Sequence, residues 1–256
     1  MRARTPFLSG RKLLLKRNGF RPPFKILFAG IDGSGKTTCL DSLLSRLDRR
    51  YRVLKIGPSC PRLFFRGRDE KLFNSFLYEP TGLGGFLHKR HLRGFLVISR
   101  FLSNFAITQY ARLRDKPDII MYETDTVIHP SVYIAYYHPW TKRLKYNVRF
   151  KIINRLFGPR KNFVIFYLDA DPTIAMNRIQ KRNTTFDRHE NIEDLRMLKT
   201  ELDEVVKVAL KSGLDVVKID TNGKTRKSVC QDMQRVLKER FYLNLSLFAA
   251  AISIVW

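Results

Sequence analysis

Lys25-Ile-Leu-Phe-Ala29 runs directly into Gly30-Ile31-Asp32-Gly33-Ser34-Gly35-Lys36-Thr37-Thr38, and the reading of this stretch decides the fold. Its first part is a short apolar run closed by glycine, which reads as a buried strand. After it, from about Lys36 to Arg49, Leu40, Leu43, Leu44 and Leu47 recur at helical spacing, the mark of an amphipathic helix. Between strand and helix lies a match to G-x-x-x-x-G-K-[ST]. Glycines there let backbone N–H groups turn inward without Cβ obstruction, and a helix N-terminus adds positive dipole character at the same point. Such a turn suits a phosphate. Lys36 would reach the β- and γ-phosphates of a nucleotide, and the Thr37 hydroxyl would help to hold Mg²⁺. The expected nucleotide-binding set is therefore Gly30, Gly33, Ser34, Gly35, Lys36, Thr37 and Thr38, with ATP and Mg²⁺ as the ligands.

The rest of the chain alternates strand with helix. Arg52-Val-Leu-Lys-Ile56 reads as a second strand, stopped by Gly57-Pro58. Residues 57–92 are irregular and look like a substrate-side excursion, and Leu92 to Leu113 is apolar at helical spacing. Asp118-Ile-Ile-Met-Tyr122 and Phe163-Val-Ile-Phe-Tyr-Leu168 are further strands, the latter almost wholly apolar as a central parallel strand should be. Pro172 opens a helix, a long helix follows from about Ile192 to Ser212, and Gly213 is placed to end it. Val216-Val-Lys-Ile219 and a last helix over Lys227 to Phe241 complete the pattern. The prediction is an α/β protein, a P-loop NTPase three-layer fold with a central parallel sheet flanked by helices.

Composition bounds the function. The 256 residues include 48 Lys+Arg against 23 Asp+Glu, a formal charge of +25, so polyanions are the natural partners: nucleotides, nucleic acid or an acidic membrane surface. Cys39, Cys60 and Cys230 are far apart and form no CxxC, which argues against a structural zinc site or a disulfide scaffold and fits a reducing compartment. No stretch of about 20 apolar residues occurs, and the apolar C-terminal run over 241–256 is short for a bilayer span. Residues 1–23 form a basic leader, 24–240 the folded domain, and 241–256 an apolar tail. Within the domain, 138–162 is an acid-free segment in which Trp140, Tyr146, Phe150 and Phe157 alternate with Lys142, Arg143, Lys145, Arg149, Lys151, Arg155, Arg160 and Lys161. It reads as a basic insertion. Such a mixture suits a membrane interface or a single-stranded nucleic acid, or a helix that packs its aromatics into the domain.

The loop Gly30-Ile-Asp-Gly-Ser-Gly-Lys-Thr-Thr38 resembles that of the thymidylate kinase family, which carries an acid at the position of Asp32 and ends in a threonine pair. The resemblance implies that Asp32 contacts the sugar 3′-hydroxyl of an acceptor nucleotide; a local cap or a salt bridge is the structural alternative. Past the third strand the family carries Asp-Arg-Tyr/His, where this chain has Glu123-Thr124-Asp125-Thr126. The acid is kept and the phosphate-binding arginine is absent. Glu123 is implied in metal and acceptor binding and Asp125 in acceptor binding, with a strand-end turn and helix cap as the alternative. Arg100 resembles the arginine that reads the acceptor base. Tyr167-Leu-Asp-Ala-Asp-Pro172, then Arg178, Lys181 and Arg182, then Asp187 and Glu190, resemble the family's strand, helix and lid. Arg178 and Arg182, four residues apart, would share a helix face and clamp the transferring phosphoryl group.

The implied catalytic group is Lys36, Asp32, Arg178 and Arg182, in a kinase that moves the γ-phosphoryl of ATP to a nucleoside monophosphate such as dTMP. Two alternatives stand beside it: a kinase of another nucleoside or sugar-type acceptor, and a nucleotide-dependent protein that docks on membrane or nucleic acid. ATP and a nucleotide-like acceptor are the expected partners, no specific nucleic acid is expected, and contact with an anionic membrane surface and homodimer formation stay open. The expected location is the cytoplasm, with peripheral contact at a membrane left open.

Overall fold

The computed structural model of the chain describes residues 23–47, 51–57, 114, 116–137, 143–159, 161–182 and 191–241. In chain order these form β1 (Phe24–Ala29), α1 (Lys36–Leu47), β2 (Val53–Ile56), β3 (Ile119–Tyr122), α2 (Ile128–Tyr137), α3 (Tyr146–Phe157), β4 (Phe163–Asp169), α4 (Pro172–Gln180), α5 (Ile192–Lys211), β5 (Val216–Asp220) and α6 (Arg226–Phe241). All but the last residue of the basic leader, all but the first of the expected excursion over residues 57–92, Leu92 to Leu113 with Arg100, Asp187 and Glu190, and all but the first residue of the apolar tail lie outside the described residues.

The five strands form one parallel sheet in the order β2-β3-β1-β4-β5. β1 is central: Ile26 pairs with Met121 of β3 on one side and with Val164 of β4 on the other. Alternate residues divide the core. Phe24, Ile26 and Phe28 of β1, with Val164, Phe166 and Leu168 of β4, face Leu40, Leu43 and Leu47 of α1 and Met233 and Leu237 of α6. Leu27, Ala29, Ile165 and Tyr167 face the opposite layer, which draws on α2, α3, α4 and α5. Because both faces are covered, β1 and β4 are apolar nearly throughout, as parallel strands in such a sandwich must be. The three-layer α/β prediction holds.

The helices show which sequence signals were sufficient. α5 presents Leu195, Leu198, Leu202, Val205 and Ala209 to the core, starts on an Asn191 cap that accepts from Asp194 N, and ends with Gly213 at φ +78°, just past the Ser212 cap. Asp171 caps α4, with Pro172 behind it at the first helical position. α2 has no such signature. Its sequence, Ile-His-Pro-Ser-Val-Tyr-Ile-Ala-Tyr-Tyr, is apolar on most sides, so no amphipathic period marks it.

The acid-free segment contains a helix, α3, laid against the body of the domain. Phe150 is fully buried and Ile153 nearly so, both in the same core as α5, and Phe157 packs against that core. Arg149 is buried and donates to Glu201 of α5 at 3.3 Å, and the Tyr146 hydroxyl donates to Glu204 at 3.4 Å. Two aromatics that alternate with basic residues in the sequence therefore serve the core. Replacing Phe150 by alanine should cost about 3–5 kcal/mol of stability, read as a lowered urea midpoint. A midpoint within error of wild type would show that α3 is not anchored by this side chain.

Candidate functional site

The glycine-rich loop sits where β1 ends, at the C-terminal edge of the sheet and between the two strands that flank β1. This is the crevice in which open parallel sheets bind their ligands. Two glycines are dictated by neighbours rather than by a ligand. Gly33 has φ +77°, and a Cβ there would lie 2.3 Å from the Ala175 carbonyl oxygen of α4. Gly30 has φ +146°, and a Cβ would lie 2.7 Å from the Leu168 carbonyl oxygen at the end of β4. The loop is thus wedged against β4 and α4.

Inside it, Lys36 Nζ donates to the carbonyl oxygens of Gly30 and Ile31, both at 2.9 Å, and to Asp32 Oδ1 at 3.2 Å. Lys36 stands at the start of α1, beside Thr37 and Thr38. The first amides of a helix have no partner within it, so three N–H groups gather at this point. Ser34 is 1% exposed, and its Oγ is among the few buried polar atoms with no hydrogen-bond partner among the described residues. Buried hydroxyls are normally satisfied, and an anion held in the loop is the natural complement of an amide cluster with a buried hydroxyl.

Thr37 and Glu123, paired in the sequence reading as metal residues, meet. Thr37 Oγ1 donates to Glu123 Oε1 across the crevice from the first turn of α1 to the end of β3. Glu123 is held there by its own N–H, which donates to the Ile56 carbonyl at 3.0 Å. A hydroxyl and a carboxylate are hard oxygen donors, and Mg²⁺ is held in phosphate sites by one or two carboxylates with waters and phosphate oxygens. The residues fit that ion. Among the described residues no group of three or more His, Cys, Asp or Glu could hold a metal by itself.

Asp125 does something else. It is fully buried, and its carboxylate accepts from Val127 N at 2.8 Å, Ile128 N at 2.5 Å and His129 N at 2.9 Å, while its own N–H donates to Phe28 O at 2.7 Å. It is the cap of α2. The acceptor-binding role expected of it is corrected: oxygens committed to three amides and shut off from the crevice cannot bind a substrate. Burial pushes its carboxyl up to about 6, against the opposing pull of the three N–H groups and Lys36.

Asp32 lies at the mouth of the crevice, half-buried, with Oδ1 toward Lys36 and Oδ2 accepting from the Tyr133 hydroxyl of α2 at 3.4 Å. The Tyr133 ring is stacked on His129, centroids 3.7 Å apart. Tyr133 is a site residue that the sequence reading missed, because it sits in a helix whose apolar neighbours mask any polar role. Thr221, in the turn after β5, is another. Arg178 donates to the Thr221 carbonyl at 2.7 Å, to Thr221 Oγ1 at 3.3 Å and to the Gly33 carbonyl at 3.4 Å. Its guanidinium ties the loop to the end of the sheet instead of standing clear of it. Arg182 lies in the exposed turn after α4.

A sheet of this order, with this loop at the end of its central strand, defines a P-loop NTPase fold. No family model matches the chain. Two curated thymidylate kinases, from two strains of Ureaplasma parvum serovar 3, are each 26% identical to it over 238 residues, which cover 88% of this chain and 96% of the relative. Among solved structures, a deoxyadenosine kinase from M. mycoides, with the products dCMP and a flexible dCDP bound, matches with a TM-score of 0.53 at 14% identity, covering 84% of this chain and 99% of that one. The similarity to these thymidylate kinases spans 88% of the chain, so it is not confined to the loop.

The Asp125 carboxyl predicts a pH dependence. Its folded value lies above the ordinary carboxylate value, so the native state holds the proton more tightly and wild type loses stability as pH rises from about 4 to about 6. Asp125→Asn cannot titrate. The stability difference, variant minus wild type, should therefore move in the variant's favour across that window, read from urea midpoints at both ends. The opposite slope would mean that the three amides outweigh burial.

Proposed function

We propose that the protein is an ATP-dependent nucleotide kinase, passing the γ-phosphoryl group to a nucleoside monophosphate or a closely related acceptor. The observation that carries this reading is the meeting of Thr37 and Glu123 beside the Lys36 loop, with the thymidylate kinases of similar sequence in support. Lys36, the amides at the start of α1 and Ser34 would bind and orient the donor phosphates. Thr37 and Glu123 would hold Mg²⁺, which when bound supplies charge neutralisation on the phosphate oxygens. Asp32, fixed from one side by Lys36 and from the other by Tyr133, would accept a hydrogen bond from the acceptor sugar. Arg178 would brace the loop, and Arg182 would supply positive charge toward the transferring group. Catalysis of this kind is positioning and electrostatics, with no covalent intermediate on the protein.

Lys36→Ala should lower acceptor-dependent transfer by about 10²–10³, roughly 3–4 kcal/mol of transition-state stabilisation, in a protein that still folds but melts somewhat lower, since Lys36 also bonds the Gly30 and Ile31 carbonyls. Unaltered turnover would remove the phosphate-loop reading. An acceptor-independent, slow ATP hydrolysis across a panel of nucleotides, nucleosides and sugar derivatives would instead favour a nucleotide-dependent binding protein.

The acceptor pocket supports a second, narrower reading. Thr124 stands where an arginine would grip the acceptor phosphate, and an arginine makes a bidentate pair with phosphate that a threonine cannot replace. We therefore expect dTMP to be a weak acceptor, with another nucleotide, nucleoside or sugar-type acceptor giving a higher kcat/KM. If dTMP equals or exceeds every other acceptor in the panel, an arginine elsewhere in the chain has taken over that contact.

A further inference from the structure

α3 has a second apolar face. Its inward side seats Phe150 and Ile153 in the core, yet Leu144, Val148, Ile152 and Leu156 are among the exposed large hydrophobic residues, Ile152 at 49% and Leu156 at 64%. Val148, Ile152 and Leu156 follow one another at intervals of four and form a ridge along the helix, and Leu144 stands just ahead of its first turn. Arg143, Lys145, Lys151 and Arg155 are exposed on the same segment, no acid occurs between residues 143 and 161, and none of these four cations is paired with an acid among the described residues. Elsewhere in the described chain, exposed large hydrophobics are nearly absent, Leu210 being the exception outside this segment. The patch is local, apolar and positively charged.

We infer that this outer face of α3 docks the protein on an anionic lipid surface, with the aliphatic ridge entering the interfacial region and the flanking lysines and arginines facing the headgroups. A helix held in the plane of the interface needs this combination of apolar ridge and basic flank. Two other occupants fit less well. A single-stranded nucleic acid binds on stacked aromatics, and the two phenylalanines of α3 are turned inward, so that the one exposed aromatic is Tyr146, whose hydroxyl is tied to Glu204, and the ridge itself is aliphatic. A second copy would bring identical cations together across the contact, and the four ridge residues offer on the order of 300 Å² against the roughly 800 Å² per partner of a stable interface. The proposal is independent of the kinase reading.

The test uses the full chain in cosedimentation with vesicles of phosphatidylserine and phosphatidylcholine, and with phosphatidylcholine vesicles alone. Wild type should bind the anionic vesicles, less so at high salt, and bind the neutral ones far more weakly. Ile152→Asp with Leu156→Asp should weaken anionic binding by about tenfold or more, and Lys151→Gln with Arg155→Gln should weaken it and flatten its salt dependence. All four side chains are exposed, so melting midpoints close to wild type are expected and show that the variants fold. Equal binding to both vesicle types, or anionic binding unchanged in both variants, would overturn the proposal. So would a fall in solution mass from dimer to monomer in the aspartate variant with vesicle binding intact, which would make the ridge a contact between copies. Stronger binding to a single-stranded oligonucleotide than to vesicles, lost in the same variants, would assign the face to nucleic acid.

Discussion

The backbone contact between Gly33 and Ala175 sets the rest of the site. A side chain at Gly33 would strike the α4 carbonyl, and the second contact, Gly30 against Leu168, fixes the other end of the loop. With both ends pinned, the start of α1 has one position, and Lys36, Thr37 and Ser34 inherit theirs from it. Arg178 then closes the arrangement by bonding to Gly33 and to Thr221. A phosphate-binding loop works because its amides are aimed before the ligand arrives. Here the aiming comes from backbone packed on backbone, which deforms far less than a side-chain contact.

The second constraint is Asp125. Its carboxylate is buried at the junction of β3 and α2 and holds the amides of three successive residues, so it decides the direction in which α2 leaves the sheet. Tyr133, on that helix, reaches Asp32 in consequence. Two neighbouring acids, Glu123 and Asp125, thereby divide the work: one faces Thr37 in the crevice, the other organises the wall behind it.

Legibility from the sequence followed the strength of the local signal. β1, the loop and α1 were readable because their order is itself a chemical requirement, and β4 because a strand buried on both faces is apolar throughout. The pairing of Thr37 with Glu123 was also readable, since strand ends and the loop share one edge of a parallel sheet. Asp125 could not be separated from Glu123, because two acids past a strand end look alike until burial tells them apart. α2 was hidden by its own burial, and with it Tyr133. In α3 the composition was read correctly as basic and aromatic, but its two faces differ by helical angle alone: Phe150 and Ile153 point in, Val148 and Ile152 point out. Arg178 and Arg182 were paired by spacing, which says nothing of the bonds from Arg178 to the turn after β5.

The strand order has a consequence for how the molecule comes into being. Among the described residues β1 comes first in the chain, and it lies in the middle of the finished sheet, between β3 and β4, whose residues come far later in the sequence. Its neighbours therefore emerge from the ribosome long after it does, and the loop meets Ala175 only when most of the polypeptide has been synthesised. Pairings so distant in sequence are slow to form, and an unpaired apolar strand is exposed to wrong partners while it waits. The loop therefore takes its final shape only after Leu168 and Ala175 are in place, so a ligand held there would favour the late stages of folding but not the early ones.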